Sequence, residues 1–137
     1  MSISHKILIV GGGAAGLAVA SSLHKRNSKL DIAVVEPSDK HYYQPGWTMV
    51  GAGVFDMTET CKNMIAVWPT GVKRIKNEVV SFDPEKNNVI LKDGATVGYN
   101  SLVVAPGLKL DWEAVEGLNE SLGQNGVTSN YRYDLAP

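Results

Sequence analysis

Lys6-Ile-Leu-Ile-Val10 is an apolar run that stops at three glycines. Its β-branched residues, with no polar alternation, predict a strand buried on both faces, as in a parallel sheet. From Ala14 to Arg26, Ala, Leu and Val recur at helical spacing, and the segment closes on His24-Lys25-Arg26-Asn27. Cations suit the negative end of a helix dipole, and Asn27 is the expected cap. Asp31-Ile-Ala-Val-Val35 predicts a second buried strand. Strand, helix and strand in about thirty residues make a βαβ unit, whose crossover should be right-handed.

Beyond Glu36 the pattern loosens. His41-Tyr-Tyr-Gln-Pro-Gly-Trp-Thr-Met-Val-Gly-Ala-Gly53 is too aromatic for a plain solvated loop. It is also too rich in Gly and Pro for the interior of a strand or helix, so a long loop is expected. Thr58 to Trp68 predicts a short helix stopped by Pro69-Thr70-Gly71, and Val72 to Ile75 a third parallel strand. A three-stranded antiparallel meander is expected over 78–82, 88–91 and 96–99, with turns at Asp83-Pro84-Glu85-Lys86 and Lys92-Asp93-Gly94. Leu102-Val-Val-Ala105 reads as a last buried strand, broken at Pro106-Gly107; residues from Lys109 onward are polar and weakly periodic.

With 137 residues, the chain has room for one ordinary domain. A formal charge of −1 and the lack of a basic run argue against a nucleic-acid partner. One cysteine, Cys61, excludes an internal disulfide and suits a reducing compartment. No apolar run is long enough to span a membrane, and no leader segment is recognised ahead of the first strand.

Chemistry concentrates between the first strand and the first helix. Gly11-Gly12-Gly13-Ala14-Ala15-Gly16 contains G-x-G-x-x-G, and an acid, Glu36, lies twenty residues past Gly16 at the end of the next strand. Gly11 would permit the tight turn, Gly13 the close approach of a pyrophosphate, and Gly16 the packing of helix on strand. The free amides of Ala14 and Ala15 would meet the phosphates at the positive end of the helix dipole. Glu36 would accept hydrogen bonds from the hydroxyls of an adenosine ribose and repel a 2′-phosphate. The competing reading is a glycine turn that only packs, with Glu36 a solvated strand end. The motif by itself leaves FAD and NAD both open.

The order of later elements resembles the FAD domain of the two-dinucleotide-binding disulfide reductase flavoproteins. There, a final strand ends in A-x-G beside the cofactor, here Ala105-Pro106-Gly107, and a valine in the meander meets the adenine. Val79 is the position that matches, with Val80 its rival, since a slip of one residue changes the face. Further residues narrow the resemblance. Glu36-Pro37-Ser38, then His41-Tyr-Tyr-Gln-Pro45, Trp47-Thr48 and Val50-Gly51-Ala52-Gly53 look like the sulfide:quinone oxidoreductase family. So do Leu110-Asp111-Trp112, Gly117-Leu118 and Ser129-Asn130-Tyr131. The type II NADH dehydrogenases share the architecture but carry a different loop after the acid.

The resemblance implies a Rossmann-like α/β fold with a parallel sheet, incomplete relative to the family. Residues 1–108 would form the FAD-binding half, and 109–137 the start of a connection to a second dinucleotide-binding domain. It makes Gln44 a candidate FAD contact, with Tyr42, Tyr43 and Trp47 as apolar cover. It also implies sulfide and a membrane quinone as reaction partners and peripheral contact with the cytoplasmic membrane; the lack of a recognised presequence suggests a bacterial cytoplasmic protein. The family's redox cysteine pair has no counterpart in this chain; Cys61 reads as an inert packed residue. The chain is therefore expected to be the N-terminal portion of a longer flavoprotein, inactive alone, whose missing portion or a second copy would complete it. Two other functions stay open: a different flavin oxidoreductase, such as one oxidising NADH, and a non-catalytic nucleotide-binding fragment. His5, His24 and His41 show no metal-ligand spacing, and Asp83, Glu85, Lys86, Lys92 and Asp93 read as solvated turn charges.

Overall fold

A computed structural model of the chain describes residues 3–137; the leading two positions, ahead of which no leader was expected, lie outside the described residues. Among the described residues there are eight strands: β1 (Ile3–Val10), β2 (Ile32–Val35), β3 (Lys40–Tyr42), β4 (Cys61–Asn63), β5 (Lys73–Ile75), β6 (Val79–Asp83), β7 (Asn88–Leu91) and β8 (Thr96–Val104). The helices are α1 (Ala14–Arg26), α2 (Trp47–Gly51), α3 (Met64–Val67) and α4 (Leu118–Ser121). Two compact units result: residues 1–41 with 64–107, and residues 42–63 with 108–137.

The first unit is built on a six-stranded sheet of order β5-β2-β1-β8-β7-β6. β5, β2, β1 and β8 run parallel, whereas β8-β7-β6 is antiparallel. β1 thus joins β2 and β8 directly, pairing Val10 with both Val35 and Val104. The sheet cannot be flat. Ile75 closes β5 at one edge and Val79 opens β6 at the other, four residues later. Five strand spacings of about 4.8 Å would part them by roughly 24 Å. Four residues reach at most about 14 Å. The meander therefore folds back over one face of the parallel strands.

The side chains record that folding. Leu8, Val10, Ala33 and Val35 point to the meander face, where they pack with Val89, Leu91 and Val97. Ile9, Ile32 and Val34 point to the other face, where Ala20 of α1 and Val72 cover them. Each residue of β2 is buried, as its unbroken apolar run required. Removing such a side chain from water contributes about 1.5–3 kcal/mol. α1 spans the expected residues and ends in His24, Lys25 and Arg26. Asn27 closes it in an extended conformation (φ −149°), with its N–H on the Leu23 carbonyl at 3.0 Å.

Three expectations are corrected. The third meander strand and the last buried strand are one nine-residue strand, β8. Its start pairs with β7 while its length follows β1, so Asn100-Ser101 continues a strand whose partner is already in place. The expected helix over 58–68 is split into a 3₁₀ turn (Met57–Thr60), β4 and α3. Thr60 donates its hydroxyl to the Met57 carbonyl at 2.7 Å, which closes the turn locally, and Cys61 continues extended (φ −124°). Short polar side chains compete with helical hydrogen bonding in this way. The loop expected over 41–53 contains part of β3, a 3₁₀ turn at Gln44–Gly46 and α2. Pro45 stands at the start of the turn, where a missing N–H costs nothing.

In the second unit, Trp47, Val50 and Ala136 form a small core with Met57 and Tyr133. Tyr42 stacks on Tyr133 with ring centroids 4.9 Å apart, and meets Trp47 edge-on at 6.1 Å. A capping box opens the Met57–Thr60 turn: the Thr58 N–H donates to Asp56 at 2.8 Å, and the Asp56 N–H donates to Glu59 at 2.9 Å.

Candidate dinucleotide site

The carboxyl ends of β1, β2, β5 and β8 are tied together by main-chain bonds. The Gly11 N–H donates to the Val35 carbonyl at 2.9 Å, and the Ala105 N–H to the Val10 carbonyl at 2.8 Å. The Glu36 N–H donates to the Ile75 carbonyl at 3.0 Å. A crevice at the carboxyl ends of parallel strands is where open α/β sheets bind ligands.

Each glycine of the turn has a separate cause. Gly11 adopts φ +99°, and a Cβ there would lie 2.2 Å from the Ala105 carbonyl oxygen. Gly11 therefore sits hard against the end of β8. At Gly16, a Cβ would lie 1.8 Å from the Gly11 carbonyl oxygen, so this glycine lets α1 close on the turn. Gly13 differs: a Cβ there would meet nothing within 4 Å. Packing does not require glycine at that position, but the approach of a ligand would. Gly13, Ala14 and Ala15 are exposed, no side chain caps α1, and its first turn carries no acid. The first-turn amides of a thirteen-residue helix are thus left without a capping side chain or an acid of their own turn.

Glu36 is half-buried and turned onto the glycine turn. Its Oε2 accepts the Gly12 N–H and its Oε1 the Ser38 N–H, both at 2.7 Å. An ionised carboxylate offers about four lone-pair sites, so each oxygen can accept one more donor. A ribose diol supplies two. Gly12, the variable position of the motif, is also constrained, because a Cβ there would lie 2.7 Å from Glu36 Cγ. The motif alone does not name Gly12; the third glycine in a row was the available signal.

The structure brings together Gly11, Gly13, Ala14, Ala15, Gly16, Glu36 and Ala105, with Gly107 (φ +80°) two residues past the end of the β8 contact. Val79 opens β6 and packs against the cluster that includes Val10 and Val35, the last residues of β1 and β2. The β6–β7 register shifts between Val79 and Ser81; Val80 lies in that irregularity and is exposed. Gln44 is half-buried at the start of its 3₁₀ turn in the second unit.

The residues present fit a dinucleotide with an unphosphorylated adenosine ribose. The fit rests on an open Gly13, an uncapped helix start and a carboxylate held beside them. They offer binding groups only. Cys61 lies half-buried in the second unit, where it bonds Tyr133; burial first, then Cys61 and Tyr42 beside it, push the Tyr133 hydroxyl up from its usual pKa. Among the described residues, no His, Cys, Asp and Glu cluster could hold a metal ion. No described helix is long and apolar enough to cross a membrane.

The fold is a Rossmann-like α/β domain whose glycine turn suits a nucleotide. Residues 5–136 match the pyridine nucleotide-disulphide oxidoreductase family, and the chain belongs to it. Within the family, it is 55% identical over 130 residues to the mitochondrial sulfide:quinone oxidoreductase of Dictyostelium discoideum, covering 94% of this chain and 29% of that protein. The mouse protein of the same name is 35% identical over 127 residues, covering 93% and 28%. The chain thus spans under a third of the length of these curated relatives. The crystal structure of the Aquifex aeolicus sulfide:quinone oxidoreductase superposes with a TM-score of 0.77 at 22% identity, over 98% of this chain and 30% of that one; it shares the fold. The resemblance carried by Tyr-Gln-Pro and Leu-Asp-Trp is borne out by these relatives.

Proposed function

We propose that the chain is the FAD-binding N-terminal part of a sulfide:quinone oxidoreductase-like flavoprotein. The observation that carries the reading is the Glu36 carboxylate held on the Gly12 amide beside the uncapped start of α1. The relatives' names supply the reaction. Bound FAD would supply two-electron chemistry, taking an electron pair from sulfide and passing it to a quinone. The chain's own residues bind and orient. Amides at Gly13, Ala14 and Ala15 receive the diphosphate, Gly11 and Gly16 shape the turn, and Glu36 takes the adenosine ribose. Val79 would meet the adenine, Ala105 and Gly107 would flank the cofactor at the end of β8, and Gln44 would add a further contact. Like charge between Glu36 and a 2′-phosphate disfavours phosphorylated nucleotides.

One thiol cannot form an intramolecular disulfide couple, so sulfide oxidation belongs to a part that this chain does not contain. Residues 109–137 would lead toward a second dinucleotide-binding domain. Both curated relatives are named as mitochondrial, which favours that compartment over the cytoplasmic one expected from the sequence. The test is to purify the chain with FAD and record flavin absorbance and fluorescence. Retention that Glu36→Ala weakens supports the proposal. Folded protein that takes up no flavin, alone or co-expressed with the remaining part of a relative, refutes it.

A further inference from the structure

Glu36 is one flexible side chain at the mouth of a loop whose next three residues, Pro37, Ser38 and Asp39, are exposed. A carboxylate on such a loop would not hold one orientation unaided. Its Oε2 is held by the Gly12 N–H and its Oε1 by the Ser38 N–H, so half of the acid's anchoring depends on where the Ser38 residue is fixed.

That residue is fixed from β5. The Arg74 guanidinium donates through Nη2 to the Ser38 carbonyl at 2.6 Å and to Asp39 Oδ1 at 3.1 Å, with a longer contact to the Glu36 carbonyl at 3.5 Å. Lys76 holds the other oxygen of Asp39. The guanidinium carbon lies 5.5 Å from the centre of the Trp68 ring, and the ring is fixed in turn by its N–H on the Val72 carbonyl at 2.9 Å. Arg74 is only one-fifth exposed. Burial against an aromatic face sets this contact apart from a loose surface ion pair. All three contacts run through Nη2, whose two N–H groups are shared between the carbonyls and the Asp39 carboxylate; what an ammonium lacks here is the planar face that stacks on Trp68.

We infer that Arg74, seated on Trp68, is a positioning residue for ribose recognition, holding Glu36 in its receiving orientation through the Ser38 peptide. The inference rests on the reading of Glu36 as the ribose acceptor. It adds two residues, Arg74 and Trp68, that neither the glycine motif nor the family resemblance singled out.

The test uses the full 137-residue chain, with ADP and 2′-deoxy-ADP as probes in calorimetric titrations. The wild-type chain should prefer ADP by about tenfold or more, the worth of a charge-assisted hydrogen bond. Arg74→Met should reduce that preference to about threefold or less and weaken 2′-deoxy-ADP less than ADP, because that probe offers Glu36 only its 3′-hydroxyl. Arg74→Lys should restore part of the preference. Amide exchange at Ser38 and Gly12 should speed up in Arg74→Met without ligand. If Arg74→Met does not fold, Trp68→Leu removes the aromatic seat while keeping the guanidinium and should show the same loss. A folded variant that keeps the wild-type preference and the protected amides overturns the inference while leaving the ribose role of Glu36 intact. Wild-type protein that binds both probes equally removes that role, and the inference with it. Wild-type protein that binds neither overturns the dinucleotide reading itself.

Discussion

Replacing Gly13 and Gly16 separately by alanine distinguishes a glycine kept for a ligand from one kept for the fold. At Gly16 the added carbon would lie 1.8 Å from the Gly11 carbonyl oxygen and 3.4 Å from Ile9 Cγ2. Ordinary C···O contact is about 3.3 Å, so the start of α1 must lift by roughly 1.5 Å. That displaces a helix that covers Ile9 and Val34 through Ala20. Overpacking costs about 1–3 kcal/mol where side chains can adjust, and here the obstacle is backbone, so Gly16→Ala should cost at least about 3 kcal/mol. At Gly13 the backbone is extended (φ −72°, ψ −170°) and the added carbon meets nothing within 4 Å. Replacing an N-cap glycine by alanine costs about 0.5–1 kcal/mol, which the stiffer unfolded chain offsets by a similar amount. Stability should therefore change by less than about 0.5 kcal/mol. Binding should not be spared. A methyl in the path of the diphosphate would break about two charge-assisted amide bonds of roughly 1.5–3 kcal/mol each, a loss of at least a hundredfold in FAD affinity. Urea unfolding with unchanged m-value reads the first quantity, and quenching of flavin fluorescence reads the second. If Gly13→Ala binds FAD within about threefold of wild type, or unfolds as early as Gly16→Ala, the division of roles is wrong.

Other perturbations probe the scaffold. Burial acts to raise the Asp31 carboxyl, but the His5 hydrogen bond and charge, the Lys6 amide and the charge of Lys73 outweigh it and hold the group below 3.8. A lowered folded-state value contributes stability above pH 3.8 that is lost as pH falls through it. Thermal midpoints between about pH 2 and 6 should thus fall less steeply at the acid end for Asp31→Asn than for wild type. Leu8 is fully buried between the parallel strands and the meander, so Leu8→Ala should lower stability by about 2–5 kcal/mol in urea. Gly71 has φ +81°, and a Cβ there would lie 2.5 Å from His24 Cε1. Gly71→Ala should cost about 1–3 kcal/mol by the same measurement and leave FAD affinity unchanged.

The legible parts of the fold were those set by local pattern. The limits of α1, the buried runs of β1 and β2, and the β7 segment follow from periodicity and turn chemistry in neighbouring residues. β8 was read as two strands because Asn100 and Ser101 interrupt its apolar pattern. What carries the strand across them is a ladder to β1, pairing Ser101 with Ile7, and one chain segment does not record its partner's register. The split of residues 58–68 has the opposite cause. A helical spacing of apolar positions was present, but Asp56 and Thr60 satisfied the backbone locally and ended the turn.

The site shows the same division more sharply. The glycines and Glu36 were readable because their chemistry lies in fixed spacings along βαβ, a geometry that one strand and one helix impose on each other. Arg74 and Trp68 carried no such signal. Arg74 is one cation on a three-residue strand, and its partners, Ser38 and Asp39, are thirty-six and thirty-five residues away. Only the pairing of β5 beside β2 sets Arg74 level with Val34, and so two positions below the acid. The sequence motif therefore locates the group that grips the ribose, while the sheet order locates the groups that aim it. A search by motif alone finds the acceptor and misses what fixes its direction. The Arg74 variants separate these two contributions, because they leave every residue of the glycine motif and Glu36 itself in place.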